Sequence, residues 1–287
     1  MNIVVNLNKP KGITSQEAVN KVKKIFKVKK AGHAGTLDPL ATGVLLVCLN
    51  EATKITPFLS NLEKEYIVTM KLGEKTDTYD SEGNIIERCE IGVLELRDIE
   101  DVLKRFLGEI EQIPPMYSAI KYKGKPLYKL ARKGFEMHRE PRKVLIKSID
   151  LLEFSPPFLK LKISCSKGTY IRSFCNDVGG ALGVGAHMFE LLRTKVGNFS
   201  IEDSLTLEDL FIKKEGLFSI DDALSFLPEI FLSEEQEKKV IHGNPIDAEN
   251  IKLAQNTFVR LKNSEHTILG IGKITKNFIK IERLFNV

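Results

Sequence analysis

Asp38 is the residue of this 287-residue chain whose surroundings most invite chemistry. It stands in the stretch Gly32-His33-Ala34-Gly35-Thr36-Leu37-Asp38-Pro39-Leu40-Ala41-Thr42-Gly43, just before the apolar run Val44 to Leu49. Glycine tolerates positive φ and lets a ligand or another strand come close to the backbone. Pro39 drives Asp38 out of the helical region into an extended conformation. A carboxylate held this way beside a buried strand is a candidate reactive group. Asp-Pro among glycines is also an ordinary turn signal, and the window alone leaves both readings open. The glycine spacing fits neither the P-loop nor the dinucleotide fingerprint, and no Gly-Lys-Ser/Thr follows. A phosphate-cradling nucleotide site is not expected.

The second chemical signal is the distribution of charge. The net charge is +5, yet residues 9–30 carry eight lysines against Glu17 alone, and residues 121–147 carry ten Lys/Arg against Glu136 and Glu140. Two concentrated basic segments on an otherwise acidic chain are the footprint of a polyanionic partner. Tyr117, Tyr122, Tyr128 and Phe135 are interleaved with the second segment. That mixture suits unpaired bases and their phosphates, which favours nucleic acid over a merely solvated lysine face.

The elements that must position these groups follow from periodicity. Ile3 to Leu7 reads as a strand, and Thr14-Ser15-Gln16-Glu17 has the spacing of a capping box before a helix with Ala18, Val22, Ile25 and Phe26 on one face. Glu65 to Leu72 reads as a strand with Tyr66, Val68, Met70 and Leu72 on one side. Ile99 to Leu107 reads as a helix capped by Asp98. Pro114 to Lys143 has no sustained period, is broken by six Pro/Gly positions, and reads as a functional loop with a short helix near Tyr128 to Lys133. Leu159 to Cys165 alternates as a half-buried strand and runs into Gly168-Thr169-Tyr170-Ile171-Arg172 and a further helix. Strands and helices follow no regular βαβ order, so a mixed, mainly antiparallel α+β sheet is expected. Near Leu227-Pro228 a boundary divides residues 1–226 from a β-rich module, 227–287, too small to stand alone and expected to dock on the rest.

Composition limits the remaining classes. Hydrophobic residues make up 43% and charged residues 28%, as in soluble globular proteins. No apolar run approaches a membrane span, and Met1 to Asn6 does not read as a signal peptide, so cytoplasmic residence is expected. The four cysteines form no CxxC pair and none of the five histidines has helical ligand spacing to another. Neither a disulfide framework nor a metal is expected.

Five windows, in order, resemble one family: the TruB pseudouridine synthases, which modify the T arm of transfer RNA. They are Asn8-Lys9-Pro10-Lys11-Gly12-Ile13-Thr14-Ser15, the Gly32 to Gly43 loop, Lys64-Glu65-Tyr66, Gly168 to Arg172, and Gly185-Ala186-His187 through Leu191-Leu192-Arg193-Thr194. The resemblance implies a catalytic domain of pseudouridine synthase type, a thumb-like basic insertion at about 114–143, and a C-terminal PUA-like RNA-binding module. It implies Asp38 as the nucleophile, Arg172 as its ion-pair partner, and Tyr66 against the uracil with a possible proton role. It further implies His33 in the space left by a flipped nucleotide, Tyr170 and Leu191 as the pocket wall, and Lys9 and Pro10 lining the site, with Lys9 serving either the fold or the RNA backbone. One departure is Leu192, where the family often has an arginine; this bears on a phosphate contact.

The implied reaction breaks N1–C1′ of a T-loop uridine (position 55), turns the base, joins C5 to C1′ and removes the C5 proton. Product and substrate are isomers, so no cofactor is expected, and a uridine stacked in the arm must first be extruded. The expected partner is tRNA, met by a monomer without an obligatory protein partner. Rivals are an RNA-guided relative working within a particle and a non-catalytic RNA-binding protein on the same scaffold. A carbohydrate-acting enzyme is disfavoured because no second acid accompanies Asp38 in these motifs.

Overall fold

Alternating apolar strands of this length must pair into a sheet with a buried face, and they do. The structure, a computed structural model, describes all residues except 119, 123, 132, 213–215, 249, 250 and 287. β1 (Ile3–Lys9) turns into α1 (Ser15–Ile25), which carries the expected capping box: Glu17 N donates to Thr14 Oγ1 and Thr14 N donates to Glu17 Oε2. β2 (Ala31–His33) and β3 (Thr42–Leu49) flank the Asp38 loop. After α2 (Thr56–Ser60), β4 (Lys64–Leu72) buries every second side chain, Tyr66, Val68, Met70 and Leu72 among them. A hairpin of β5 (Glu74–Thr76) and β6 (Ile85–Arg88) precedes α3 (Leu96–Lys104) and β7 (Gly108–Gln112). α3 starts earlier than the apolar period suggests. Glu95 is its N-cap, and Asp98 is the reciprocating residue of the capping box rather than the cap itself.

The basic insertion is more ordered than its broken pattern implies. β8 (Lys121–Tyr122) pairs with β9 (Lys125–Pro126), and α4 (Leu127–Ala131) stands where a short helix is expected, starting one residue earlier. Lys123, Arg132 and the Tyr122 side chain lie outside the described residues. The chain continues through the long hairpin of β10 (Arg142–Ser155) and β11 (Phe158–Cys165) into α5 (Ile171–Ala181) and β12 (Ala186–Val196). β13 (Phe199–Ser200), β14 (Leu217–Ser219) and α6 (Ile220–Ala223) follow.

These strands form one ten-stranded sheet in the order β14-β1-β3-β12-β4-β11-β10-β7, with β2 on β3 and β13 on β12. Every pairing is antiparallel except β3 with β12, a parallel contact of Thr42 with Leu192 and Gly43 with Arg193. Gly43 makes that contact sterically feasible: its φ is +100°, and a Cβ would lie 2.2 Å from the Arg193 carbonyl oxygen. One sheet face packs on α1, α3 and α5 through Val19, Val22, Ile99, Phe174 and Val178.

A second, five-stranded sheet contains β15 (Glu229–Phe231), β16 (Ile246–Asp247), β17 (Phe258–Lys262), β18 (Ile268–Ile274) and β19 (Phe278–Leu284), with α7 (Glu234–Ile241) beside it. Ile268, Ile271 and Phe285 enter the same buried cluster as Val4 and Leu46 of the large sheet and Ile55 just before α2. Each such side chain contributes about 1.5–3 kcal/mol on burial. A charged latch adds to the contact: Arg260 Nη1 lies 2.7 Å from Asp221 Oδ1 and Lys262 Nζ 2.6 Å from Asp221 Oδ2.

Candidate active site

The loop that carries Asp38 is pinned along its backbone. Arg193 Nη2 donates to Gly35 O (3.0 Å), and Leu37 exchanges two hydrogen bonds with Ser15 Oγ at the start of α1 (2.8 and 2.9 Å). Asp38 O accepts from Ala41 N (3.1 Å), while Pro39 O accepts from Gly12 N (2.8 Å) and Lys9 Nζ (3.3 Å). Lys9 is fully buried and donates also to Pro10 O and Ile13 O, both at 2.8 Å. Burial lowers its pKa to about 8, with Asp38 opposing and Arg193 assisting that shift. Its three N–H donors are thus directed at three carbonyls of the chain itself. Pro10 is exposed beside it.

Arg172 sits in the first turn of α5, which aims its side chain at this loop. Nη2 donates to Asp38 Oδ1 (3.1 Å) and to Tyr117 O (2.7 Å), and Nη1 to Thr78 O (3.2 Å). Nε lies 3.0 Å from Asp38 Oδ2, an ion-pair contact, but off the line of its N–H, which has no aligned acceptor. On its other side, Nη1 is 3.5 Å from Asp80 Oδ2. The guanidinium side chain is 5% exposed, that of Asp80 7%, and that of Asp38 34%. One buried cation therefore serves two acids, and only Asp38 is open to a ligand.

Asp80 has no counterpart in the sequence reading. Its Oδ1 accepts from Thr78 Oγ1 (2.6 Å) and Glu82 N (3.1 Å). Burial pushes its carboxyl pKa up, with the Thr78 hydroxyl and Arg172 opposing. A second acid does stand near Asp38, then, but the guanidinium separates the two and the second is closed off. That is not the open carboxylate pair that sugar hydrolysis requires.

Tyr66 is buried on β4 directly opposite Arg193 on β12. Burial pushes the phenol pKa up, and the adjacent Arg193 opposes it. Arg193 itself is 1% exposed, and its Nε donates to Val44 O (2.7 Å). Nearby Lys64 donates to Ser60 O and Leu62 O, and burial lowers its pKa to about 8. His33 is half-buried; burial first and Arg193 second depress its pKa, and its Nδ1 is a buried atom with no partner. Tyr170 is half-buried, and its backbone N–H and C=O are both held by the Gln112 amide (2.7 and 3.0 Å). Leu191 is buried on β12 against β4. Among the described residues no three His, Cys, Asp or Glu side chains group as metal ligands, and the four cysteines are free.

An oriented carboxylate on a pinned loop beside a buried arginine, carried by a mixed sheet, defines the candidate site. In solved structures the chain resembles that described as "Crystal Structure of a Cbf5-Nop10-Gar1 Complex", with TM-score 0.78 and 29% identity over 98% of this chain and 84% of that one. An H/ACA RNP bound to a substrate RNA containing 2′-deoxyuridine matches with TM-score 0.76 and 28% identity, over 99% and 84%. Family models described as TruB family pseudouridylate synthase (N-terminal domain), tRNA pseudouridylate synthase B C-terminal domain, and pseudouridine synthase II TruB, C-terminal, match residues 23–171, 172–215 and 228–285. tRNA pseudouridine synthase B of Clostridium tetani is 45% identical over 99% of both chains, and that of Mannheimia succiniciproducens 43% identical over 98% of this chain and 95% of its own. The chain belongs to the TruB family.

Proposed function

We propose that the chain is a tRNA pseudouridine synthase that isomerises the T-loop uridine at position 55, with Asp38 as the reactive carboxylate. Membership of the family and relatives named tRNA pseudouridine synthase B along nearly the whole length support the reaction and the RNA. One observation carries the choice of reactive group: Asp38 is the acid that a buried guanidinium orients while a third of its side chain stays open. A carboxylate so paired is held in one orientation as N1–C1′ opens. The base then turns, C5 joins C1′, the C5 proton leaves and N1 gains one, so the reaction balances without an outside reagent.

Tyr66 lies against the uracil, and Tyr170 and Leu191 wall the pocket. His33, with its unpartnered Nδ1, meets the RNA where the flipped nucleotide leaves a gap. Lys9 and Pro10 shape the loop beneath. Residues 1–226 form the catalytic domain, the basic thumb at 114–143 grips phosphates, and residues 227–287 act as a PUA-like RNA-binding module. The protein acts alone, as a cytoplasmic monomer. No helix among the described residues is long and apolar enough to cross a membrane.

The test is release of tritium from C5-labelled uridine in an unmodified tRNA transcript by the purified chain alone. Wild type releases label, and Asp38→Asn stops release while filter binding of the transcript persists. Undiminished release by the Asn variant overturns the assignment of Asp38.

A further inference from the structure

Among the described residues, Arg193 is one of the largest fully buried side chains, and no carboxylate there forms an ion pair with it. A buried cation without a counter-ion is costly, and a neutral amide could satisfy carbonyls at less expense. The positive charge therefore needs a reason. Two donors are committed to carbonyls on separate elements, Val44 O at the start of β3 and Gly35 O in the catalytic loop. These fix the guanidinium rigidly beneath the site. Tyr66 is its directly opposed neighbour across the β12–β4 pairing, and the guanidinium acts on the phenol.

Guanidinium has only donors, so a phenol oxygen beside it must act as the acceptor. A phenol oxygen that accepts there keeps its own proton free to be given to another group. We propose that Arg193 is a positioning residue for Tyr66, holding the phenol oxygen as an acceptor so that its proton is directed at the substrate base and the charge left by its departure is met. This rests on the reading of Asp38 and Tyr66 as the groups that meet the uridine. The other ionisable groups that act on Tyr66 are Asp38 from the loop and Cys165 from β11, both of which disfavour phenolate. Arg193 favours it. Lys64 and Lys9 lie near Arg193 but spend their donors on carbonyls of their own.

The test is a mutant cycle of Arg193→Gln and Tyr66→Phe, read by single-turnover tritium release, with Arg193→Lys replacing the Gln variant if that does not fold. Arg193→Gln is expected to slow release about tenfold in the wild-type background and to have little effect once Tyr66 is Phe. A second readout needs no turnover: with 13C-labelled tyrosine, the Tyr66 phenol should titrate at higher pH in the Arg193 variant than in wild type. Equal slowing in both backgrounds, or an unmoved Tyr66 titration, overturns the proposal. Wild type that releases no label at all would instead overturn the reading it rests on, and the titration would still report on Arg193.

Discussion

The Asp38 loop and the basic thumb are built on opposite principles. Carbonyls 35, 37, 38 and 39 of the loop are each taken up by a donor, from β12, α1, the loop itself and β1 with its following turn. The thumb holds itself by local bonds such as Tyr128 N to Ser118 O and Leu127 N to Ile120 O, and exposes Phe135. Reacting atoms must be held to a fraction of an ångström, whereas a phosphate grip gains from adjustment. One side chain joins the two regions: Arg172 donates from the same Nη2 to Asp38 and to Tyr117 O of the thumb.

If the loop governs turnover and the thumb governs affinity, variants should separate along that line. The largest effect is expected for Arg172→Lys, which keeps the charge but loses the fork; kcat should fall about a hundredfold with RNA affinity nearly unchanged. Unchanged kcat would remove Arg172 from the site. Lys9→Met removes the lysine donor from Pro10 O and Ile13 O, while Pro39 O keeps Gly12 N, and should cost about 2–3 kcal/mol, read as a Tm several degrees lower by calorimetry. It should also lower kcat more than it raises KM.

In the thumb, replacing exposed Lys125, Lys129 and Lys133 together by Ala should weaken RNA binding about tenfold at low salt and reduce the slope of log K against log salt by about 2. Saturated kcat should hold, and a matching fall in kcat would erase the contrast between the regions. The smallest effect concerns His33. Its folded pKa lies below the ordinary 6.5, so below that pH the unfolded chain takes up the proton first. The stability tied to neutral His33 is present above pH 6.5 and is lost as pH falls through the folded value. Urea midpoints at pH 7.5 and 5.5 should converge slightly in His33→Gln relative to wild type.

Much of this was legible in the sequence where the signal is local. The period of β4 and β11, the Thr14 capping box and the glycines about Asp38 depend on near neighbours and read directly. Asp80 did not read, because Thr76-Asp77-Thr78-Tyr79-Asp80 looks like a surface turn until α5 brings Arg172 to it. Arg193 was visible only as part of a motif whose departure at Leu192 drew attention instead. Its burial depends on the two-residue parallel contact at Gly43, which no periodicity announces. The start of α3 was misread because Glu95 and Asp98 share a reciprocal cap, and only the second adjoins the apolar period.

The shared cluster of Val4, Leu46 and Ile55 with Ile268, Ile271 and Phe285 has a consequence for biosynthesis. Asn2 reaches Asn286 across 284 positions, and Lys54 donates to Leu284 O. A nascent chain on the ribosome cannot close that wall until its final strands emerge from the exit tunnel. The early segment must wait, greasy side outward, where chaperones can find it.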